Sequence, residues 1–152
     1  MSQRYAVVTG ANSGVGGAIS TALAEAGYSV ALIGRNESRL SEIKAKLDEV
    51  GGISKIFVSD FSTLGGINKL INEIKSDTKE VDVLVNAAAI WHGDNEVYAG
   101  QDFATFSQEI VVDTMMVGIM APTMISHALI PLMPPKSKII NISGTFEDGG
   151  KG

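Results

Sequence analysis

The chain has 152 residues, 45% of them hydrophobic and 19% charged, which describes one globular domain able to bury a sizeable core. Twelve Lys and Arg against 17 Asp and Glu give a net charge of −5, so no basic stripe for nucleic acid is expected. With no cysteine there is no disulfide framework or thiolate nucleophile, and His92 and His127 are too few and too far apart to suggest a metal site.

The first strand-like run is Tyr5 to Thr9. So little chain precedes it that no secretory signal is expected, and the reading is a cytoplasmic protein. Val15, Ile19, Leu23 and Ala26 recur at helical spacing until Gly27. Ser29 to Ile33 is a second strand, unbroken by polar residues, as a strand covered on both faces should be. Leu40, Ile43, Leu47 and Val50 form the next helical stripe, closed by Gly51 and Gly52. Ile53 to Val58 is a third strand, and Ile67, Leu70, Ile71 and Ile74 mark a third helix. Val81 to Val85 is a fourth strand. A polar loop with Trp91, Gly93 and Asn95 follows, then a helical stretch from about Asp102. Lys138 to Ile142 is a fifth strand before a glycine-rich tail. Strands separated by helices of this length imply parallel pairing through right-handed crossovers, so the fold class is α/β, a doubly wound parallel sheet.

Thr114 to Pro135 carries no formal charge and is long enough to span a bilayer. Gly118, Pro122, Pro131, Pro134, Pro135, Ser126 and His127 interrupt it, and no membrane span is expected.

The turn Thr9-Gly-Ala-Asn-Ser-Gly-Val-Gly16 joins the first strand to the first helix. Glycines at 10, 14 and 16 let the backbone turn tightly and approach a bound group closely. The helix that starts near Gly14 offers free N–H groups and a positive dipole end to an anion. The spacing is neither the GxGxxG fingerprint nor a Walker loop. About twenty positions on, where an adenosine ribose would rest, stand Gly34 and Arg35. No carboxylate blocks a 2′-phosphate there, and the guanidinium can pair with one, with Asn12 and Ser13 as further donors.

Thr9-Gly-x-x-x-Gly-x-Gly16 resembles the cofactor motif of the short-chain dehydrogenase/reductase family, whose cofactor domain is Rossmann-like. Asp60 resembles the family's aspartate at the adenine edge. Val85-Asn86-Ala87-Ala88-Ala89 resembles its Asn-Asn-Ala-Gly motif, and Ile139 to Ser143 the strand that leads to its catalytic serine. The resemblance implies a nicotinamide dinucleotide held by Gly10, Asn12, Ser13, Gly14, Val15, Gly16, Arg35, Asp60, Phe61, Asn86, Ala87 and Ala88. NADP(H) is preferred and NAD(H) is left open. It implies hydride transfer to or from a small-molecule carbonyl or alcohol, and Ser143 as the catalytic hydroxyl.

The pattern also departs from the family. Its chemistry needs a tyrosine with a lysine four residues later to move the proton. Tyr5, Tyr28 and Tyr98 have no such lysine. Met115 occupies the position of the relay asparagine, and the serine's usual position falls on Gly144. Met116, Met120 and Met124 read as a core or helix–helix stripe, and Trp91 and His92 stand near the family's substrate region. Ile139, Ile140 and Ile142 are the apolar run of a strand suited to cover on both faces. With only a glycine-rich tail after it, the outer edge and adjoining apolar surface are expected to stay unprotected, so that residues 1–152 are a fragment or else associate as a homo-oligomer. Residues 1–152 are therefore expected to form one dinucleotide-binding domain that lacks its C-terminal strands. The rival reading is a non-catalytic dinucleotide-binding or interaction protein on the same fold.

Overall fold

The computed structural model describes residues 3–90 and 101–143. Five parallel strands form a single sheet in the order β3-β2-β1-β4-β5: β1 Arg4–Thr9, β2 Tyr28–Gly34, β3 Ile53–Val58, β4 Val83–Asn86 and β5 Lys138–Asn141. The order reverses between β1 and β4, which opens a crevice at the carboxyl ends of those two strands.

Local chemistry sets where the first three helices begin. α1 (Gly14–Glu25), α2 (Glu37–Glu49) and α3 (Leu64–Asp77) are each capped by a polar residue at the preceding position. Ser13, Asn36 and Thr63 accept the backbone N–H of Gly16, Arg39 and Gly66, which relieves one unsatisfied donor per helix. Gly27 and Gly51, at φ 82° and 72°, turn the chain after α1 and α2.

The helical stretch expected from Asp102 begins later. Phe103–Thr105 is a 3-10 turn, and α4 (Gln108–Met115) starts behind the Ser107 cap. Met116–Met120 is a π-helical segment that leads into α5 (Ala121–Leu129). Pro122 lacks the N–H that would bond the carbonyl of Gly118, and the wide turn lies immediately before it.

Two hydrophobic clusters cover the sheet. On one face Val7, Ile33, Phe57 and Leu84 pack with Leu70 and Ile74 of α3 and Ile125 and Leu129 of α5. On the other, Val8, Val30, Leu32 and Val85 pack with Ala24, Leu40 and Leu47. In the long helical run the buried stripe is Val117, Ala121, Ile125 and Leu129. Met116 and Met124 flank it, whereas Met120 is exposed. Among the described residues this run, Gln108–Leu132, is the one long and apolar enough to cross a membrane by length and composition. Its buried stripe instead faces the sheet.

Two strand expectations change. β4 begins at Val83, and Val81 is buried in the loop before it with its N–H on the Leu132 carbonyl. β5 ends at Asn141 rather than Ile142, and Ile139, Ile140 and Ile142 are 37%, 40% and 42% exposed, the unprotected apolar surface expected of this edge. Among the described residues it pairs only with β4, and its side chains belong to neither cluster.

Candidate functional site

Sterics dictate two glycines of the β1–α1 turn. Gly10 has φ 67°, and a Cβ there would lie 2.7 Å from the carbonyl oxygen of Ala87. A Cβ on Gly16 would lie 2.2 Å from the carbonyl oxygen of Gly10, so α1 packs directly beneath the turn. Ser13 braces the loop: its hydroxyl donates to Gly10 O at 2.7 Å and accepts from Gly16 N at 3.2 Å. The N–H of Gly17 bonds the Ser13 carbonyl. The first-turn N–H groups of Gly14 and Val15 are therefore the ones left for an anion.

Thr9 ties this turn to β4. Its hydroxyl, buried at the strand end, donates to Val85 O at 3.4 Å and accepts from the N–H groups of Ala87 at 3.1 Å and Ala88 at 3.2 Å. The two walls of the crevice are thus fastened at their base. Above them opens a cleft of about 690 Å³. It brings together Gly10, Asn12, Ser13, Gly14, Val15, Arg35, Phe61, Ala87, Ala88 and Ser143 from the residues expected at the site. Arg35 is exposed on its rim and makes no ion pair among the described residues.

Three expected residues stand elsewhere. Gly16 lies under the turn. Asp60 is exposed outside the cleft lining, and its Oδ1 accepts the N–H of Ser62 at 2.9 Å. Asn86 lines a second, adjoining cavity of about 350 Å³ beneath the π segment. There its Nδ2 donates to Asn141 Oδ1 at 2.9 Å and to Ser126 Oγ at 3.3 Å. The buried Oδ1 of Asn86 has no partner among the described residues.

Sequence reasoning passed over Thr9 as a brace, the Asn141–Ser126 pair, and Val117 and Gly118, which line both cavities. Strand alternation carried a signal for one of them, because residues 141 and 143 fall on the same face of an extended chain. Ser143 stands where the two cavities meet, and its hydroxyl has no partner among the described residues. Trp91, His92, Tyr98 and Gly144 lie outside the described residues. The other two tyrosines are engaged away from the cleft. Tyr5 donates to Asp77 Oδ2 at 2.6 Å, and the Tyr28 hydroxyl accepts from Arg4 Nη1 at 3.2 Å. His127 is exposed on α5.

A glycine turn at a switch point, free helix-start N–H groups and an unpaired guanidinium suit a phosphate-bearing dinucleotide. The family model for the short chain dehydrogenases matches residues 4–149. The chain belongs to the short chain dehydrogenase family. Its relatives include an uncharacterised oxidoreductase of Staphylococcus saprophyticus, 32% identical over 94% of this chain and 59% of that protein. The human inactive hydroxysteroid dehydrogenase-like protein 1 is 32% identical over 92% of this chain and 42% of its own length. A metagenomic short-chain oxidoreductase solved in complex with NADP superposes with a TM-score of 0.80 at 28% identity, over 94% of this chain and 63% of that one. The chain thus spans roughly two-fifths to three-fifths of the length of these three proteins.

Proposed function

We propose that this short chain dehydrogenase binds NADP(H) in the 690 Å³ cleft and serves reversible hydride transfer between nicotinamide and a carbonyl or alcohol. The observation that carries the cofactor preference is Arg35, a cation on the rim beside Gly34 with no ion-pair partner among the described residues, and no carboxylate at the end of β2. The N–H groups of Gly14 and Val15 would hold the pyrophosphate. Arg35 would pair with the 2′-phosphate, which a metagenomic relative's NADP complex makes the natural comparison. The bound dinucleotide supplies the hydride. The chain's own part is to hold the phosphates, to place Ala87 and Ala88 along the cleft wall, and to present the Ser143 hydroxyl to a substrate oxygen.

Calorimetric titration of the wild type and Arg35→Ala tests this. Loss of a charge-assisted phosphate contact should cost roughly 1.5–3 kcal/mol, about 10- to 100-fold in NADPH affinity. NADH affinity should barely change. Equal NADPH affinities for the two proteins would refute the assignment.

One observation favours a second reading, dinucleotide binding without turnover. Tyr5 and Tyr28 are committed to Asp77 and Arg4 rather than to the cleft, and no tyrosine in the sequence has a lysine four residues on. We expect residues 1–152 alone to bind NADPH but not to consume it with a panel of aldehydes and ketones. An NADPH-dependent rate that survives repurification and vanishes in Ser143→Ala would overturn this and show that another group supplies the proton.

A further inference from the structure

At the end of the sheet away from β5, β3 pairs with β2 alone among the described residues. The N–H and C=O of a strand residue point the same way, and the direction alternates along the chain. The Ser59 N–H, just past the strand, bonds the Gly34 carbonyl of β2 at 3.0 Å. Lys55 and Phe57 therefore turn their backbone groups inward, and Ser54, Ile56 and Val58 turn theirs outward. Lys69 Nζ meets the Val58 carbonyl at 3.0 Å. The outward groups of Ile56 have no partner among the described residues.

Beside this edge, between β3 and α3, runs a groove of about 490 Å³ whose lining includes Lys55, Phe57, Glu73 and Asp77. Its charges are unevenly satisfied. The Lys55 ammonium bonds Asp77 and lies 5.2 Å from the Phe57 ring, yet its side chain is 62% exposed. Glu73 Oε1 is met by Lys69 at 3.7 Å, and its buried Oε2 has no partner. Of the three buried side-chain atoms left unpartnered among the described residues, Glu73 Oε2 and Ser54 Oγ both stand at this strand, one on each face. Such atoms normally find partners.

We propose that the β3 edge pairs antiparallel with the β3 edge of a second copy of this chain, joining two five-stranded sheets into one. A two-fold axis at Ile56 sets residue 56 opposite 56 and residue 54 opposite 58, so outward groups meet outward groups. It also sets residue 55 opposite 57 on the α3 face. Along the groove Asp77 reaches Lys55 and Lys69 reaches Val58, so Glu73 of the same helix lies between them, alongside Phe57. Lys55 of one copy then stands beside Phe57 and Glu73 of the other. An ammonium has three donors, enough for its own Asp77 and the second copy's under-paired carboxylate. A register centred on residue 55 would set two lysines face to face, and one centred on residue 57 would set Lys55 against Ser59. Charge selects the register at Ile56, and the edge carries its own complement, which favours a second copy over an unrelated strand.

Sedimentation velocity over a range of about 1–100 µM should show a reversible dimer. Ile56→Pro removes an outward N–H that no bond within the chain uses, and should leave a monomer. Glu73→Gln should weaken the dimer about tenfold. Ile140→Lys, on β5, should leave it unchanged. The chain has no cysteine, so Ile56→Cys reads the register alone. Its two copies would stand about 5.5 Å apart at Cα across the axis, within disulfide reach, and mild oxidation should link them. A monomer at every concentration, a dimer lost in Ile140→Lys, or a dimer that survives Ile56→Pro would overturn the proposal. If Ile56→Pro fails to fold, the Ile56→Cys crosslink decides, and its absence in a chain that sediments as a dimer would place the contact elsewhere and overturn it too.

Discussion

The two sides of β1 are made of similar apolar runs and end in different states. On one side Ala31, Leu32 and Ile33 of β2 are fully buried, with helices over both faces and strands at both edges. On the other, Ile139 and Ile140 of β5 stand more than a third exposed at the end of the sheet. A run of apolar residues states what a strand can bury, but only its neighbours decide what it does bury. β2 has two strand neighbours and two layers of helix. β5 has β4 alone.

The largest expected effect separates these two sides. Leu32→Ala removes a fully buried side chain from the cluster it shares with Leu40 and Leu47 and should cost about 2–5 kcal/mol. Ile140→Ala removes one that already meets water and should cost about 1 kcal/mol or less. Denaturant unfolding measures both. If Ile140→Ala proves as costly as Leu32→Ala, β5 is covered in solution, and the cost should then fall on dilution if the cover is a second copy.

Within the turn that joins the two sides, a second contrast sharpens the comparison. Gly10→Ala needs both a left-handed backbone and space that the Ala87 carbonyl occupies, and should cost about 1–3 kcal/mol. Gly14 has nothing within 4 Å of a built Cβ, so Gly14→Ala should shift stability by no more than about 0.5 kcal/mol. Thermal melts of the two variants distinguish a turn set by sterics from one that tolerates any residue.

Much of the fold was legible because each element carried its own local signal. The stripe Ile67, Leu70, Ile71 and Ile74 is entirely buried on α3, and Ser13, Asn36 and Thr63 cap as their side chains dictate. The β1–α1 turn was legible for the same reason, since glycine spacing between a strand and a helix is a local pattern. What was hidden is non-local. Asn86 looked like part of the cleft, yet it hydrogen-bonds Asn141 and Ser126, 55 and 40 residues away. Nothing in the Asn86 motif announces those partners. Ile139 to Ile142 read as an apolar strand with an unprotected edge, yet how far each side chain meets water is set by the rest of the sheet and not by the run itself. Gly34 shows both limits. Its lack of a carboxylate was plain, but the side chain that lies against it comes from Asn12, 22 positions earlier.

The smallest expected effect is a pH response confined to the well-covered side, at the opposite end of the sheet from the cleft. There Asp77, at the end of α3, receives the Tyr5 hydroxyl from β1 and the Lys55 ammonium from β3. Partial burial pushes the Asp77 carboxyl up, but hydrogen bonds from Lys55 and Tyr5 and the ammonium charge together outweigh it and hold the carboxyl below its ordinary value. A lowered folded-state pKa means stability that is present above the unfolded pKa of about 3.9 and is lost as pH falls through the folded value. Tyr5 is pushed the other way, up, by burial first and then by its bond to the Asp77 carboxylate. Its contribution is present below the unfolded pKa of about 10 and is lost as pH rises above it. Melting curves should therefore fall at both extremes, and the two limbs should respond to different substitutions. Asp77→Asn should flatten the acid limb, and Tyr5→Phe should flatten the alkaline one while leaving the Lys55 pair to carry the acid limb. The described ion pairs, Lys44–Asp48, Lys55–Asp77 and Lys69–Glu73, all belong to the β2–α3 side of the molecule. A substitution in β5 such as Ile140→Ala should thus lower the whole melting profile slightly without changing its shape. A change of shape from Ile140→Ala would mean that the two sides of the sheet do not titrate independently, and would undo the contrast drawn between them.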